Sequence, residues 1–266
     1  MRFVIQLCIV LAGLLTWQSV SAQDASASDL AKAAQNPIAS MISVPIQSNI
    51  DFDWGPNSDT FAVTNIQPVL PFKLNDDWNL VTRTILPIVS QPGLTPGQSR
   101  KWGTSDTLFT AFFVPADSGA WTWGVGPMVQ LPTTSNSRLG KDEWGAGISA
   151  VALTMPGRWV VGGLVSNLWG ISEDPGNEIN SFTFQPFVNY NFEKGWYFTF
   201  SPIITANWEA ASGQKWTVPI GAGFGKIFKI GSQAMNAQAH YYYNIEKPDI
   251  TGDWSIRLQL QFMFPK

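Results

Sequence analysis

From residue 42 onward, apolar and polar side chains alternate with a period of two, and only turn-like stretches interrupt the pattern. Residues 254–264 show it best. Trp254, Ile256, Leu258, Leu260, Phe262 and Phe264 hold the even positions, and Ser255, Arg257, Gln259 and Gln261 fill odd ones. A strand sends successive side chains to opposite faces, so such a segment has one apolar and one polar face. The same reading sets Ile42, Val44, Ile46, Ile50 and Phe52 against Ser43, Gln47 and Asn49. It also sets Ile66, Leu70 and Phe72 against Asn65 and Gln67. Further strands are predicted over 78–90, 107–114, 121–131, 144–155, 159–169, 182–192, 196–208, 216–228 and 235–245.

This makes about twelve strands, joined alternately by short turns (74–77, 115–119, 156–158, 193–195, 229–234) and longer polar loops (53–60, 92–105, 133–143, 172–180, 209–215, 247–253). Strands of about ten residues with alternating short and long connections predict an all-β fold, a transmembrane antiparallel β-barrel. The even count puts both termini on one side, expected to be the periplasm. Tryptophan positions point the same way. Trp78, Trp121, Trp159 and Trp196 each follow a short turn, whereas Trp144, Trp169, Trp208, Trp216 and Trp254 stand at loop ends. Two aromatic girdles are predicted, because an indole joins an apolar body to an N–H that needs water.

Charge is sparse where lipid would be. Only 13% of residues are charged and 45% are hydrophobic. The acidic residues fall in predicted loops, turns, strand ends or the leader, and strand interiors hold only Arg83, Arg257, His240 and Lys226. Arg83 and Arg257 have the polar parity and are expected to face the lumen. Lys226 has the lipid parity and is placed near a strand end, where it can snorkel. A net charge of −3, with no basic cluster, argues against a nucleic-acid partner.

The chain opens on Arg2, an apolar run and Val20-Ser21-Ala22, which reads as a cleavable signal peptide over 1–22. Residues 23–37 read as a periplasmic lead or a short plug, and 38–266 as the barrel. Cys8 is the only cysteine and lies in the leader, so the mature barrel is expected to have no disulfide and no cysteine metal site.

Candidate chemistry is thin. His240 shares its face with Asn236, Gln238, Tyr242 and Asn244, and a hydrolase would need a serine such as Ser255 on the neighbouring strand plus an orienting acid. A hydrogen-bonded lumen residue is the simpler reading. Gly221 to Lys226 lacks the spacing of a phosphate loop, so Gly221, Gly223 and Gly225 read as a curved or closely approached strand. Asp51, Asp53 and Asp59, like Glu173, Asp174 and Glu178, are acidic groups without the spacing of a calcium loop. No cofactor, metal or enzymatic activity is expected.

Several longer words carry a resemblance: 38–45 (IASMISVP), 65–71 (NIQPVLP), 76–80 (DDWNL), 124–132 (GVGPMVQLP), 185–191 (QPFVNYN) and 201–208 (SPIITANW). They resemble a bacterial outer-membrane transporter family labelled meta-pathway of phenol degradation, whose members often carry the misapplied name neuromedin U. The resemblance covers about 36–264 and implies the barrel fold, the outer membrane of a Gram-negative bacterium, and small aromatic or apolar compounds as solutes. It brings no set of functional residues. The final strand, with Leu258, Leu260, Phe262 and Phe264, likewise resembles the C-terminal signature of outer-membrane barrels, which implies recognition by the barrel-assembly machinery.

The expected function is a narrow passive channel for small neutral, aromatic or weakly anionic solutes. Its lumen-lining candidates are Arg83, Gln130, Gln185, Asn189, Gln238, His240, Arg257 and Gln259. Outer-membrane lipid and lipopolysaccharide are the expected surroundings. A closed barrel that binds partners through its loops is the alternative, and an outer-membrane lipid hydrolase a third.

Overall fold

The computed structural model describes residues 27–95, 97–171 and 178–265; the leader 1–22, Glu173 and Asp174 lie outside them. A helix, α1 (Ala27–Gln35), precedes twelve strands: β1 (Ile42–Trp54), β2 in two pieces (Asp59–Ile66 and Val69–Lys73), β3 (Trp78–Gln91), β4 in two pieces (Lys101–Thr104 and Thr107–Pro115), β5 (Trp121–Leu131) and β6 (Gly145–Thr154). These continue as β7 (Trp159–Gly170), β8 (Asn180–Asn191), β9 in two pieces (Trp196–Phe200 and Ile204–Asn207), β10 (Trp216–Ile230), β11 (Gln233–Glu246) and β12 (Trp254–Phe264). Each strand pairs antiparallel with its sequence neighbours. β1 and β12 close the barrel along eleven residue pairs, from Ile42↔Phe264 to Phe52↔Trp254. Closure leaves no edge strand unpaired, the condition for a sheet to exist in hydrocarbon.

Local chemistry sets the turns. At the β2–β3 turn the Asn75 side-chain oxygen accepts from the N–H groups of Asp77 and Trp78, at 2.9 and 2.8 Å. Helix α1 stops where the Asn36 side chain accepts from the Ile38 N–H at 2.9 Å and Pro37 has no N–H to donate.

Four expectations are corrected. The 53–60 loop is only residues 55–58: β1 runs to Trp54, so Asp51 lies inside a strand with Ser255 and Phe61 opposite it. The 92–105 loop contains a further strand piece, Lys101–Thr104, paired with the end of β3. A one-residue slip between Ile88↔Thr104 and Ile85↔Leu108 separates it from the rest of β4, which hid it from a period-two reading. The 229–234 turn is the two residues 231–232, with Gly231 at φ +59°, so β10 and β11 pair up to Ile230↔Gln233. Lys226 is therefore four residues from its strand end, and its ammonium lies over the ring of Trp196, a girdle residue, at 4.9 Å. Finally, 196–208 is not one unbroken strand: pairing lapses around Pro202.

Outward positions form an apolar belt that includes Ile46, Phe109, Val125, Ile148, Phe224 and Leu258, all exposed. Among the expected girdle residues, Trp78, Trp121, Trp159 and Trp196 start strands after short turns, and Trp144, Trp169 and Trp208 lie by the loops; all seven are exposed. Trp216 and Trp254 are half-buried: Trp216 meets Trp208 edge-on and Trp254 stacks on Phe52 at 3.9 Å. Trp102 and Trp123 join the exposed aromatics. A belt of this kind is wrong for water and right for acyl chains. Ile148→Arg, in the middle of the belt, is expected to destabilise the folded barrel by about 2–4 kcal/mol. Urea titration in phospholipid vesicles, followed by tryptophan fluorescence, measures it; a loss under about 0.5 kcal/mol, the scale of an ordinary surface change, would contradict lipid contact.

Candidate functional site: a two-sided lumen

The barrel encloses a cavity of about 290 Å³. Its floor, at the short-turn end, comes from the N-terminal segment. Leu30 and Ala31 of α1 are buried against Tyr197, Ile227, Ala234 and Met263. Gln35 and Asn191 exchange amide hydrogen bonds at 2.8 and 3.3 Å, and residues 34–37 line the cavity from below. Ile38 then inserts into a buried cluster with Val81, Phe112, Val114 and Leu153. One side of the barrel interior is thus an ordinary packed core, not a wetted wall.

That asymmetry continues up the cavity. Leu108, Phe112, Met128, Leu164 and Phe187, from β4, β5, β7 and β8, supply most of the apolar lining, interleaved with Thr110, Ser149, Ser166 and Gln185. Opposite stand Gln47, Gln67, Gln238, Gln259 and Gln261 from β1, β2, β11 and β12. Both arginines join the polar side. Arg83 donates to Gln67 Oε1 at 2.5 Å. Arg257, 6% exposed, donates from Nε to Asn49 Oδ1 (2.8 Å) and from Nη1 to the Ser201 carbonyl (2.8 Å) and the Tyr242 hydroxyl (3.2 Å). Its guanidinium lies 4.7 Å from the Tyr242 ring centre, and Asp51 supplies the opposing charge. Among the described residues, no Asp or Glu lines the cavity itself.

His240 is tied into this network. Its Nε2 pairs with the Gln238 amide at 2.9 Å, and its Nδ1 with the Tyr242 hydroxyl at 3.0 Å. Both ring nitrogens thus face amide or phenol, and Ser255 lies opposite Tyr242 in the ladder. A nucleophile–base pair does not form here.

The structure brings Arg83, Gln185, Asn189, Gln238, His240, Arg257 and Gln259 to this one cavity. Gln130 lies elsewhere: its amide donates to the Glu143 carbonyl at 3.1 Å, above the cavity and next to the loops. Parity alone could have added Phe112 and Leu164, which share faces with Thr110 and Ser166; the assumption that inward means polar hid them. Tyr197 was also missed. Its ring lies across Gly225, where a Cβ would collide with it, and its hydroxyl donates to Asn236 Oδ1 at 2.6 Å. The inward glycine there serves the close approach of a ring.

No family model matches the chain, and no curated protein does. Solved structures do. An outer membrane channel from Pseudomonas putida F1 superimposes with a TM-score of 0.65 at 18% identity, over 86% of this chain and 96% of that one. A monoaromatic hydrocarbon channel gives 0.48 at 9% identity, over 93% and 95%. An anion-selective porin from Comamonas acidovorans gives 0.42 at 8% identity, over 84% and 98%. The first shares this fold nearly end to end.

Proposed function

We propose that the chain is exported to the outer membrane and acts there as a narrow passive channel for small solutes with an apolar, typically aromatic, body and one neutral polar or weakly anionic group. The observation that carries this reading is the two-sided lumen: a mainly apolar wall faces an amide-rich wall with one buried and one half-buried guanidinium group. An amphiphilic ring satisfies both walls at once, whereas a sugar leaves the apolar wall wet and a hydrocarbon leaves the amides unpaired. A cavity of about 290 Å³ has room for such a ring, since roughly 150 Å³ accommodates benzene. Without a carboxylate ring, nothing in the lining selects cations. The superposition on the Pseudomonas channel supports the fold in which this lumen is built.

Flux into proteoliposomes tests it. Phenol and benzoate are expected to equilibrate faster than arabinose or benzylamine, and Arg83→Gln to narrow the gap between benzoate and benzylamine. Equal rates for all four, or no flux at all, would overturn the reading. The docked N-terminal segment favours one competitor, a closed barrel that works through its loops. Silent flux assays together with a loop deletion that abolishes binding to a partner would establish that competitor.

A further inference from the structure

Above the lumen cavity, at the loop end of β8, β9 and β10, lies a second cavity of about 520 Å³. The ladder builds its wall in rows. Thr183↔Thr205 and Thr205↔Thr217 set three threonines side by side, and Ser181↔Asn207 begins the row above. The Asn207 N–H donates to the Lys215 carbonyl at 2.9 Å, so Lys215 completes that second row. Cross-strand partners share a face, and Thr183 shares its own with Gln185 and Asn189 of the lumen lining, so both rows face inward. Thr183 lines both cavities, which makes the upper one an antechamber of the lower. Gln214, Pro248 and Ile250 form its rim, from the loops that precede β10 and β12.

The chemistry of this recess is one-sided. Lys215 is the one charged residue that lines it, half-buried and paired with no carboxylate among the described residues. The two amides are already oriented: Asn207 Oδ1 accepts from the Glu209 N–H at 3.1 Å, and Gln214 Oε1 accepts from the Asp249 N–H at 2.8 Å. With each oxygen held by a backbone N–H, the amide nitrogens are what remain to offer a ligand. Glu209 and Asp249 themselves are exposed and do not line the cavity. An ammonium, two amide NH₂ groups and a row of hydroxyls make a set of donors. A neutral polyol would leave the ammonium without a counterion, and an amine would meet like charge. A carboxylate satisfies the ammonium and the amides together, through charge-assisted hydrogen bonds.

We infer that this recess is an outer binding site for an aromatic carboxylate: Lys215, Asn207 and Gln214 take the carboxylate oxygens, and Pro248 and Ile250 take the ring. A volume of about 520 Å³ holds such a molecule with its water, since roughly 150 Å³ accommodates benzene. Delivery from this site past Thr183 into the lumen rests on reading the barrel as a channel; binding at the site does not.

The test uses 4-fluorobenzoate as probe and a nitroxide at Ser212→Cys, an exposed loop position beside the recess, in a chain carrying Cys8→Ser. Fluorine relaxation by the nitroxide is expected to be severalfold stronger for 4-fluorobenzoate than for 4-fluorobenzylamine. It should fall severalfold in Lys215→Gln and return in Lys215→Arg. Gln214→Glu, which keeps the acceptor for the Asp249 N–H and replaces the free donor by an anion, should weaken it as Lys215→Gln does. Equal relaxation of 4-fluorobenzoate in the parent, Lys215→Gln and Gln214→Glu overturns the site. Phenol flux through the unlabelled barrel separates the two ideas. Flux without Lys215-dependent relaxation leaves a channel that lacks this site, and Lys215-dependent relaxation without flux leaves the site on a barrel that does not conduct.

Discussion

Deleting residues 27–37 is expected to raise single-channel conductance and the rate of phenol flux severalfold while leaving the barrel folded. The segment is held by apolar burial. Leu30 is 3% exposed, and burying a side chain of that size contributes about 1.5–3 kcal/mol. The Gln35–Asn191 amide pair adds a neutral contribution of about 1 kcal/mol. A few kcal/mol in total keeps the floor docked nearly all the time, yet it is small beside a closed twelve-strand ladder, which the deletion does not touch. Leu30→Asp is the milder form of the experiment. It puts a carboxylate against Tyr197 and Met263 and should produce bursts of the open level in planar bilayers. If neither change alters conductance, solute does not pass the short-turn end, and the axial route is not the one in use.

The sequence shows which face of each strand is which, because parity is a local property of the backbone. The barrel, its strand number and the polar parity of residues such as Arg83, Gln238 and Arg257 follow from it. It could not show what depends on a neighbouring strand. Asp51 looks like the start of an acidic loop until Ser255 and Phe61 are seen opposite it and Arg257 beside it. Pro202 looks tolerable in an alternating run, and its effect appears only with Pro186 and Pro219 across the ladder. The floor was equally hidden. A short helix with one apolar stripe reads the same whether it docks or floats, and what docks it is Tyr197, a residue some 160 positions away that Gly225 allows to lie flat.

Arg257→Met is expected to cost about 3–5 kcal/mol of folding stability, more than any other single change to the lumen wall. Methionine keeps much of the apolar stem and removes three donated hydrogen bonds. The acceptors it abandons are the Ser201 carbonyl, the Asn49 amide oxygen and the Tyr242 hydroxyl, and Asp51 loses its compensating cation. The penalty lies mostly in what is left behind, so it can be dissected. Asp51→Asn in the Arg257→Met background should recover part of the loss, more than the same change gains in the parent; that difference measures the coupling. Arg257→Lys should rescue poorly, since an ammonium cannot reach Asn49 and Ser201 together from one planar fork. Urea unfolding in vesicles with all four variants gives the cycle. Additive losses would show that Arg257 and Asp51 do not sense each other, and an Arg257→Met barrel as stable as the parent would mean that water already solvates this cluster and that the polar wall is wet to its base.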